Sequence, residues 1–428
     1  MANVWVLFTT NLRVQDNTIL DVACAWENIV FPLYYFDTNL KNETELWIRK
    51  IWKYRAKFLC ESLDNLHQNL QKLWNGLDII SWDWLEILVK HIVSEKITKV
   101  YMQEPVWYYE IEEIKKLKPL LLKHSVSLYT VWDHTLIYKD DLPFHISDMP
   151  QVFTNFRKQV EKHSEILTPL SAPVKINSPI ISKYWSLRLQ DFWYSDFEVD
   201  VRRAIDFKWG EDSAWNRIDH YLWNTESLSS YKEMRNGMIW ADYSSKLSPW
   251  LSLGCISARS VYSEVKKYEK QIKKNSSTYW LVFELLWRDF FQFIFYENPT
   301  KFFQNFPQTQ NALLSEQQQR KFKKWQEGRT WLPFIDGNMK ELALTGFMSN
   351  RGRQNVASYL LHDLELDWRM WAMHFENLLI DYDIASNWGN WAYQAWVWND
   401  PRDNRYFNIE KQQSVYDSKG EYRKLWSI

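Results

Sequence analysis

The first third of the chain alternates short apolar runs with amphipathic stretches. Val4–Phe8, Ile29–Phe36, Leu77–Ile80, Lys99–Met102 and Ser127–Val131 read as buried strands, because their apolar residues run on instead of alternating with polar ones. Between them, Trp47–Leu73 and Trp84–Glu95 place apolar residues at helical spacing. Strand–helix alternation predicts an α/β domain over residues 1–131, a doubly wound parallel sheet with helices on both faces. No G-x-G-x-x-G follows the first strand, so the dinucleotide fingerprint is absent.

Residues 132–200 are punctuated by Leu142-Pro143, Met149-Pro150, Thr168-Pro169 and Ala172-Pro173, and read as an irregular inter-domain connection. From 201 to 428 the strand pattern stops. Ile256–Lys270, Ser277–Phe295, Asn338–Leu344, Arg353–Leu364 and Trp368–Leu379 carry helical periodicity and predict an all-α second domain.

Charge narrows the partners. A net charge of -1 gives no global basicity, so nucleic acid would have to be met by a local patch. Lys323, Lys324, Arg351, Arg353 and Arg402 are candidates for it, and each lysine reads equally well as solvated surface. Cys24, Cys60 and Cys255 are far apart with no C-x-x-C spacing, which disfavours a disulfide framework or a zinc site and suits a reducing, cytoplasmic setting. Met1–Thr10 has no basic segment before its apolar run and reads as a strand, not a signal peptide. No apolar run approaches membrane-spanning length, and a monomer is expected.

Four segments carry candidate chemistry. Glu284, Trp287 and Arg288 fall on one helix face at i, i+3 and i+4, where an indole and two ions suit a flat, polar-edged ligand; a surface ion pair beside a core Trp gives the same spacing. Tyr231 and the run Ser244-Ser-Lys-Leu-Ser248 before Pro249 offer hydroxyls and a cation to a pyrophosphate, or simply an N-cap. In Asn350-Arg-Gly-Arg353-Gln354 the two arginines lie on different faces, so one can reach a phosphate and the other an internal carboxylate. Asp381-Tyr-Asp383 followed by Asn387 lacks the later oxygen ligands of a calcium loop, so no metal is expected. Its acids and amide suit the N–H edges of a flavin, and Asn387 and Trp391 share a face.

In this order and spacing the segments resemble the photolyase/cryptochrome superfamily, specifically its DASH branch. The resemblance covers nearly the whole chain. It is densest at Ser230-Tyr-Lys-Glu, Trp280-Leu-Val-Phe-Glu-Leu-Leu-Trp-Arg-Asp-Phe-Phe, Gly346-Phe-Met-Ser-Asn-Arg-Gly-Arg-Gln-Asn-Val-Ala-Ser and Asp400-Pro-Arg-Asp-Asn-Arg-Tyr-Phe-Asn. Asn11-Leu-Arg-Val-Gln-Asp-Asn17 is similar to the family's opening motif.

The resemblance implies an FAD site made by Tyr231, Ser244, Ser245, Lys246, Leu247, Ser248, Arg288, Asn350, Arg353, Asp381, Asp383 and Asn387. Arg353 would pair with Asp381 beside the isoalloxazine, and Asn387 would face flavin N5. It implies a substrate cavity with Glu284 on the pyrimidine edges, Trp287 stacked on a flipped lesion and Arg351 on the phosphate side. Gln354 and Tyr393 stand where ordinary dimer photolyases have Met and Trp; the weaker stacking wall implies dimers in single-stranded DNA, with RNA as a further strand type. The implied activity is blue-light repair of cyclobutane pyrimidine dimers by electron transfer from reduced FAD. A non-repairing photoreceptor that binds nucleic acid and an impaired flavoprotein are the alternatives. Trp391 and Trp368 match the inner members of the family's electron relay, or are core packing; the stretch Leu314-Ser-Glu-Gln-Gln has no outer Trp. Glu104 or Pro105, after Lys99–Met102, matches the position of a folate contact, which implies 5,10-methenyltetrahydrofolate as antenna.

One departure is systematic. The chain has 27 Trp and 10 Gly, whereas average usage would give about 30 Gly. Trp209, Trp240, Trp331, Trp371, Trp396 and Trp398 stand where the family usually has Gly, which reads as a modified or recoded sequence. Such residues are expected to strain the backbone or block contacts, and to reduce FAD retention.

Overall fold

A computed structural model describes residues 2–25, 28–37, 40, 50–73, 76–80, 84–179, 185–300, 315–395 and 406–427. Five strands form one parallel sheet in the order β3-β2-β1-β4-β5. They are β1 (Asn3–Phe8), β2 (Ile29–Tyr35), β3 (Asp78–Ile80), β4 (Ile97–Gln103) and β5 (Ser127–Val131). The reversal of strand order at β1, which pairs with both β2 and β4, is the doubly wound signature expected from the alternation. Helices α1 (Thr18–Cys24), α2 (Lys53–Lys72), α3 (Trp84–Ser94) and α4 (Tyr108–Lys123) connect the strands. Of the expected helix Trp47–Leu73, residues 47–49 lie outside the described residues.

The two faces of the sheet have different fates. Trp5, Leu7, Leu33, Val100 and Met102 form a small core with Leu117 and Leu121 of α4. Val4, Val6, Phe8, Val30 and Tyr34 belong instead to a large cluster that runs on to Trp391 and Trp426. One continuous apolar core therefore ties the sheet to the helices that follow.

Residues 132–200 are less irregular than their prolines suggest. They contain α5 (Phe153–His163), whose Phe153, Phe156 and Val160 are buried. The proline-rich flanks mask an apolar stripe of only three residues, which is stable because it packs on α10 (Ser276–Glu297). Beyond residue 200 the described elements are helical: α6 (Gly210–Ile218), α7 (Tyr231–Met234), α8 (Ser248–Ser252), α9 (Ala258–Gln271) and α10, then Glu316–Gln326, Pro333–Thr345, Asn350–Ser358, Trp368–Leu378, Ile384–Gln394, Ile409–Tyr416 and Glu421–Trp426.

The motif after β1 joins the halves. Arg13 and Arg259, from α9, both bond Asp133, and Arg259 also bonds Asp16 at 3.0 Å; all four side chains are buried. Buried charges are tolerable only when paired and hydrogen-bonded like this.

Candidate functional site

The helices after α6 enclose adjoining cavities. The inner one, about 270 Å³, is lined by Tyr231 of α7, the run Ser244–Ser248, Glu284 and Arg288 of α10, Asn350 and Arg353, and Asp381 and Asp383. Every residue expected at the FAD, except Asn387, is on this wall. Asn387 lines a smaller lobe of about 120 Å³ with Trp391, Asp381 and Asp383. The outer cavity, about 670 Å³, is lined by Glu284, Trp287, Arg351, Gln354 and Tyr393, the whole expected substrate set. Glu284, Arg288 and Asn350 line both the inner and the outer cavity, so a single wall divides them.

Local structure fixes the acids. Asp383 caps the helix Ile384–Gln394 by accepting from Ser386 N at 2.7 Å, and its other oxygen accepts from Gln292 Nε2 at 2.8 Å. Asp381 accepts two bonds from Arg353 Nη2, at 2.8 and 3.0 Å, and one from Ser248 Oγ at 2.7 Å. The expected Arg353–Asp381 pair is thus formed, and Arg353 belongs to the interior, not to a surface patch. Asn387 donates from Nδ2 to Ala372 O and accepts at Oδ1 from Trp391 Nε1, both internal bonds. Arg288 donates to the carbonyls of His134 and Leu251 and stands 4.0 Å from Asp383.

Lys246 is the odd cation. It is buried, its Nζ has no hydrogen-bond partner, and it lies 2.9 Å from the Tyr243 ring centroid at a backbone φ of 52°. Burial holds its pKa well below the ordinary lysine value. A buried amine without a hydrogen-bond partner regains its charge beside an anion, so this end of the cavity fits an anionic group such as a pyrophosphate. Arg217 braces the same loop by donating to the carbonyls of Ser244 and Ser245.

On the outer side, Phe153 of α5 stacks on Trp287 at 3.7 Å and 13°, which leaves the indole one free face. Tyr393 meets Trp287 edge-on at 5.4 Å. Gln354 Oε1 is buried without a partner. Arg351 donates to Asn236 Oδ1 at 2.9 Å and lies over the Tyr416 ring. Arg235 was missed from sequence; it donates to Glu284 Oε1 at 2.5 Å. Its signal was present, four residues after Tyr231 at the C-terminal cap of the same short helix. Burial pushes the Glu284 carboxyl up, opposed chiefly by that guanidinium.

Other expected residues lie elsewhere. Lys323 and Lys324 are exposed on the helix Glu316–Gln326 and line neither cavity. Arg402, Trp396 and Trp398 lie outside the described residues. Trp368 packs edge-on against Trp388 at 5.9 Å, whereas Trp391 meets Trp371 at 4.9 Å and Phe375 at 4.8 Å. Of the six Trp expected to strain or block, Trp240 and Trp331 do have positive φ, 78° and 70°, but both side chains are exposed and block nothing. Trp209 is extended at φ -96°. Trp371 is buried, and its indole N–H has no partner.

Known proteins share this fold. The family profile described as DNA photolyase matches residues 4–174, and the one described as FAD binding domain of DNA photolyase matches residues 280–427. Cryptochrome DASH of Gloeobacter violaceus is 42% identical over 99% of this chain and 85% of its own. The chain belongs to the DASH cryptochromes. Cryptochrome DASH of Xenopus laevis is 40% identical over 98% of this chain and 81% of its own. The crystal structure of the Synechocystis cryptochrome superposes with a TM-score of 0.93 at 39% identity, covering 100% of this chain and 88% of that one. A bacterial class III photolyase from Agrobacterium tumefaciens gives a TM-score of 0.84 at 25% identity, covering 100% of this chain and 86% of that one. The FAD-binding domain of a DNA photolyase family is therefore present over residues 280–427, and it supplies the Glu284, Arg288, Asn350, Arg353, Asp381 and Asp383 side of the inner cavity. Among the described residues no helix is long and apolar enough to cross a membrane.

Proposed function

We propose that this cryptochrome repairs cyclobutane pyrimidine dimers in single-stranded DNA, using blue light and reduced FAD. The observation that carries the reading is the shared wall: a cavity fitted to a flavin nucleotide adjoins one fitted to a flipped base, with Glu284 bordering both. FAD, when bound, reduced and excited, supplies an electron to the dimer and receives it back after ring opening.

The chain's own residues bind and orient. Lys246 and the serines of 244–248 hold the phosphates, and the Arg353–Asp381 pair flanks the ring with Asp383 at its polar edge. Asn387, fixed by Trp391 and Ala372, stands beside the ring. Trp287 offers one face for stacking, Glu284 hydrogen-bonds the pyrimidine edges, and Arg351 meets a phosphate. A cavity with Gln354 and Tyr393, and an indole already covered by Phe153, provides little stacking energy to offset flipping from a duplex. That favours single strands.

An antenna site is supported by a cavity of about 690 Å³ between β5, α4 and the end of α10, lined by Glu104, Pro105, Lys115 and Lys118. Glu104 accepts from Tyr296 Oη and Lys139 Nζ, both at 2.6 Å, and the lysines suit the carboxylates of 5,10-methenyltetrahydrofolate. A dimer-bearing oligo(dT) tests the main reading. Dimers should disappear under blue light and persist in the dark, and Glu284→Ala should slow repair about tenfold, the worth of one hydrogen bond. Flavin reduction without dimer loss would leave the photoreceptor reading instead.

A further inference from the structure

We propose that Arg235 is a positioning residue for Glu284: it holds the carboxylate in an ion pair until a phosphate of the bound strand takes the guanidinium, and the released Glu284 then takes up one solvent proton and donates to a pyrimidine carbonyl oxygen. This rests on the repair reading above and assigns the proton and phosphate traffic at its site.

Three observations lead there. Among the described residues Glu284 is the single carboxylate on the outer cavity wall, and Arg235, Arg288 and Arg351 are its guanidinium neighbours. Arg288 is held by the carbonyls of His134 and Leu251, and Arg351 by the side chains of Asn236 and Gln412. Arg235 alone of the three spends its charge on Glu284, at 2.5 Å. Both side chains remain partly open to solvent, 17% and 30%, so an incoming phosphate can reach the pair.

In the paired state neither group is available for recognition. A carboxylate is an acceptor only and repels a pyrimidine carbonyl; the protonated acid has an O–H to give it. Phosphate competes well for a guanidinium because it binds the planar fork bidentately. Once Arg235 turns away, the main influence holding Glu284 ionised is gone, and burial outweighs what remains, the Trp280 indole beside it. Among the described residues, the remaining charged or titratable groups on the walls of the two cavities are Tyr231 from α7, Tyr243 and Lys246 before α8, Arg288 from α10, Arg351 and Arg353 from Asn350–Ser358, Asp381 and Asp383 before Ile384–Gln394, and Tyr393 within it. No histidine lines either cavity among the described residues.

The sign follows directly. Glu284 has a higher pKa in the complex than in the free protein, so binding takes up a proton and affinity falls as pH rises between the two values. The test uses the full-length, FAD-loaded protein in the dark, with fluorescence anisotropy of a labelled oligo(dT) bearing one dimer, from about pH 6 to about pH 8.5. The expected Kd rises with pH, by up to about tenfold per unit. Glu284→Gln should bind with a flat profile, and Arg235→Lys should keep the slope. Arg235→Ala should lose the slope and lower the salt dependence by about 0.7 in log–log units, one phosphate contact to a single strand. A merely structural Arg235 would change affinity without changing either slope. A Glu284→Gln slope equal to the parent's, or a parent protein that binds the dimer strand with a flat profile, overturns the exchange and leaves the repair reading standing. No binding of the dimer strand at any pH overturns both.

Discussion

Trp240 and Trp331 occupy backbone that suits glycine, and replacing them should stabilise the protein. Their φ values are 78° and 70°, in the left-handed region, and Trp193 joins them at 62°. A side chain with a Cβ in that region costs about 1–2 kcal/mol. The usual compensation, burial of the indole, is missing: Trp193, Trp240 and Trp331 are 65%, 74% and 87% exposed. Glycine removes the strain but adds about 0.4–1 kcal/mol of unfolded-chain entropy. The net gain is then about 0.5–1 kcal/mol per site, and about 2 kcal/mol for the triple variant if distant sites add. A chain of 428 residues has an unfolding entropy near about 0.9 kcal/mol per degree, so the triple variant should melt about 2 °C higher. Thermal melts of matched Trp→Gly and Trp→Ala variants decide the matter. Alanine keeps the Cβ and should gain nothing, and Trp209→Gly, at an extended φ of -96°, should gain nothing either. Alanine variants as stable as the glycine variants would refute the strain account and assign any gain to loss of an exposed indole.

Lys246→Met should raise the melting temperature of the flavin-free protein and weaken FAD retention at least tenfold, because it removes a buried, unpartnered amine together with the proposed phosphate contact; flavin absorbance after gel filtration reads the second effect. Arg259→Ala should destabilise the chain by about 3–5 kcal/mol, since Asp16 and Asp133 would stay buried with one cation fewer; urea unfolding measures it. Burial lowers the pKa of His134 from 6.5 to about 4 and of His374 to about 3. Both rings must gain a proton to unfold in acid, so their stability contribution is complete above about pH 6.5 and is lost as pH falls through the folded values. His374→Gln should shrink that acid-side fall in melting temperature.

What could be read from the chain and what could not divide along a physical line. The sheet was legible because strands buried on both faces must be apolar throughout; Ser127–Val131, expected to be buried, is instead an edge strand with no buried residue and was legible only from its place in the alternation. The cavity walls were legible because phosphate, flavin edge and pyrimidine each require particular side chains in a particular order, and those residues do line two adjoining spaces. The Arg235–Glu284 pair joins residues 49 apart in sequence, and the clamp from Asp16 to Arg259 spans 243. Pairing at such distances is decided by how α7, α9 and α10 dock, which no local spacing encodes. The tryptophans show the same limit in a sharper form. Composition announced a surplus of Trp and a deficit of Gly, and family likeness marked Trp209 and Trp371 along with Trp240 and Trp331. Only the backbone separates them: Trp209 sits in extended chain that any residue adopts, Trp371 fills the space beside Trp391, and Trp193, which no motif marked, is left-handed. A dihedral angle is set by the whole surrounding fold, so the positions where glycine would matter most are those a sequence pattern is least able to rank.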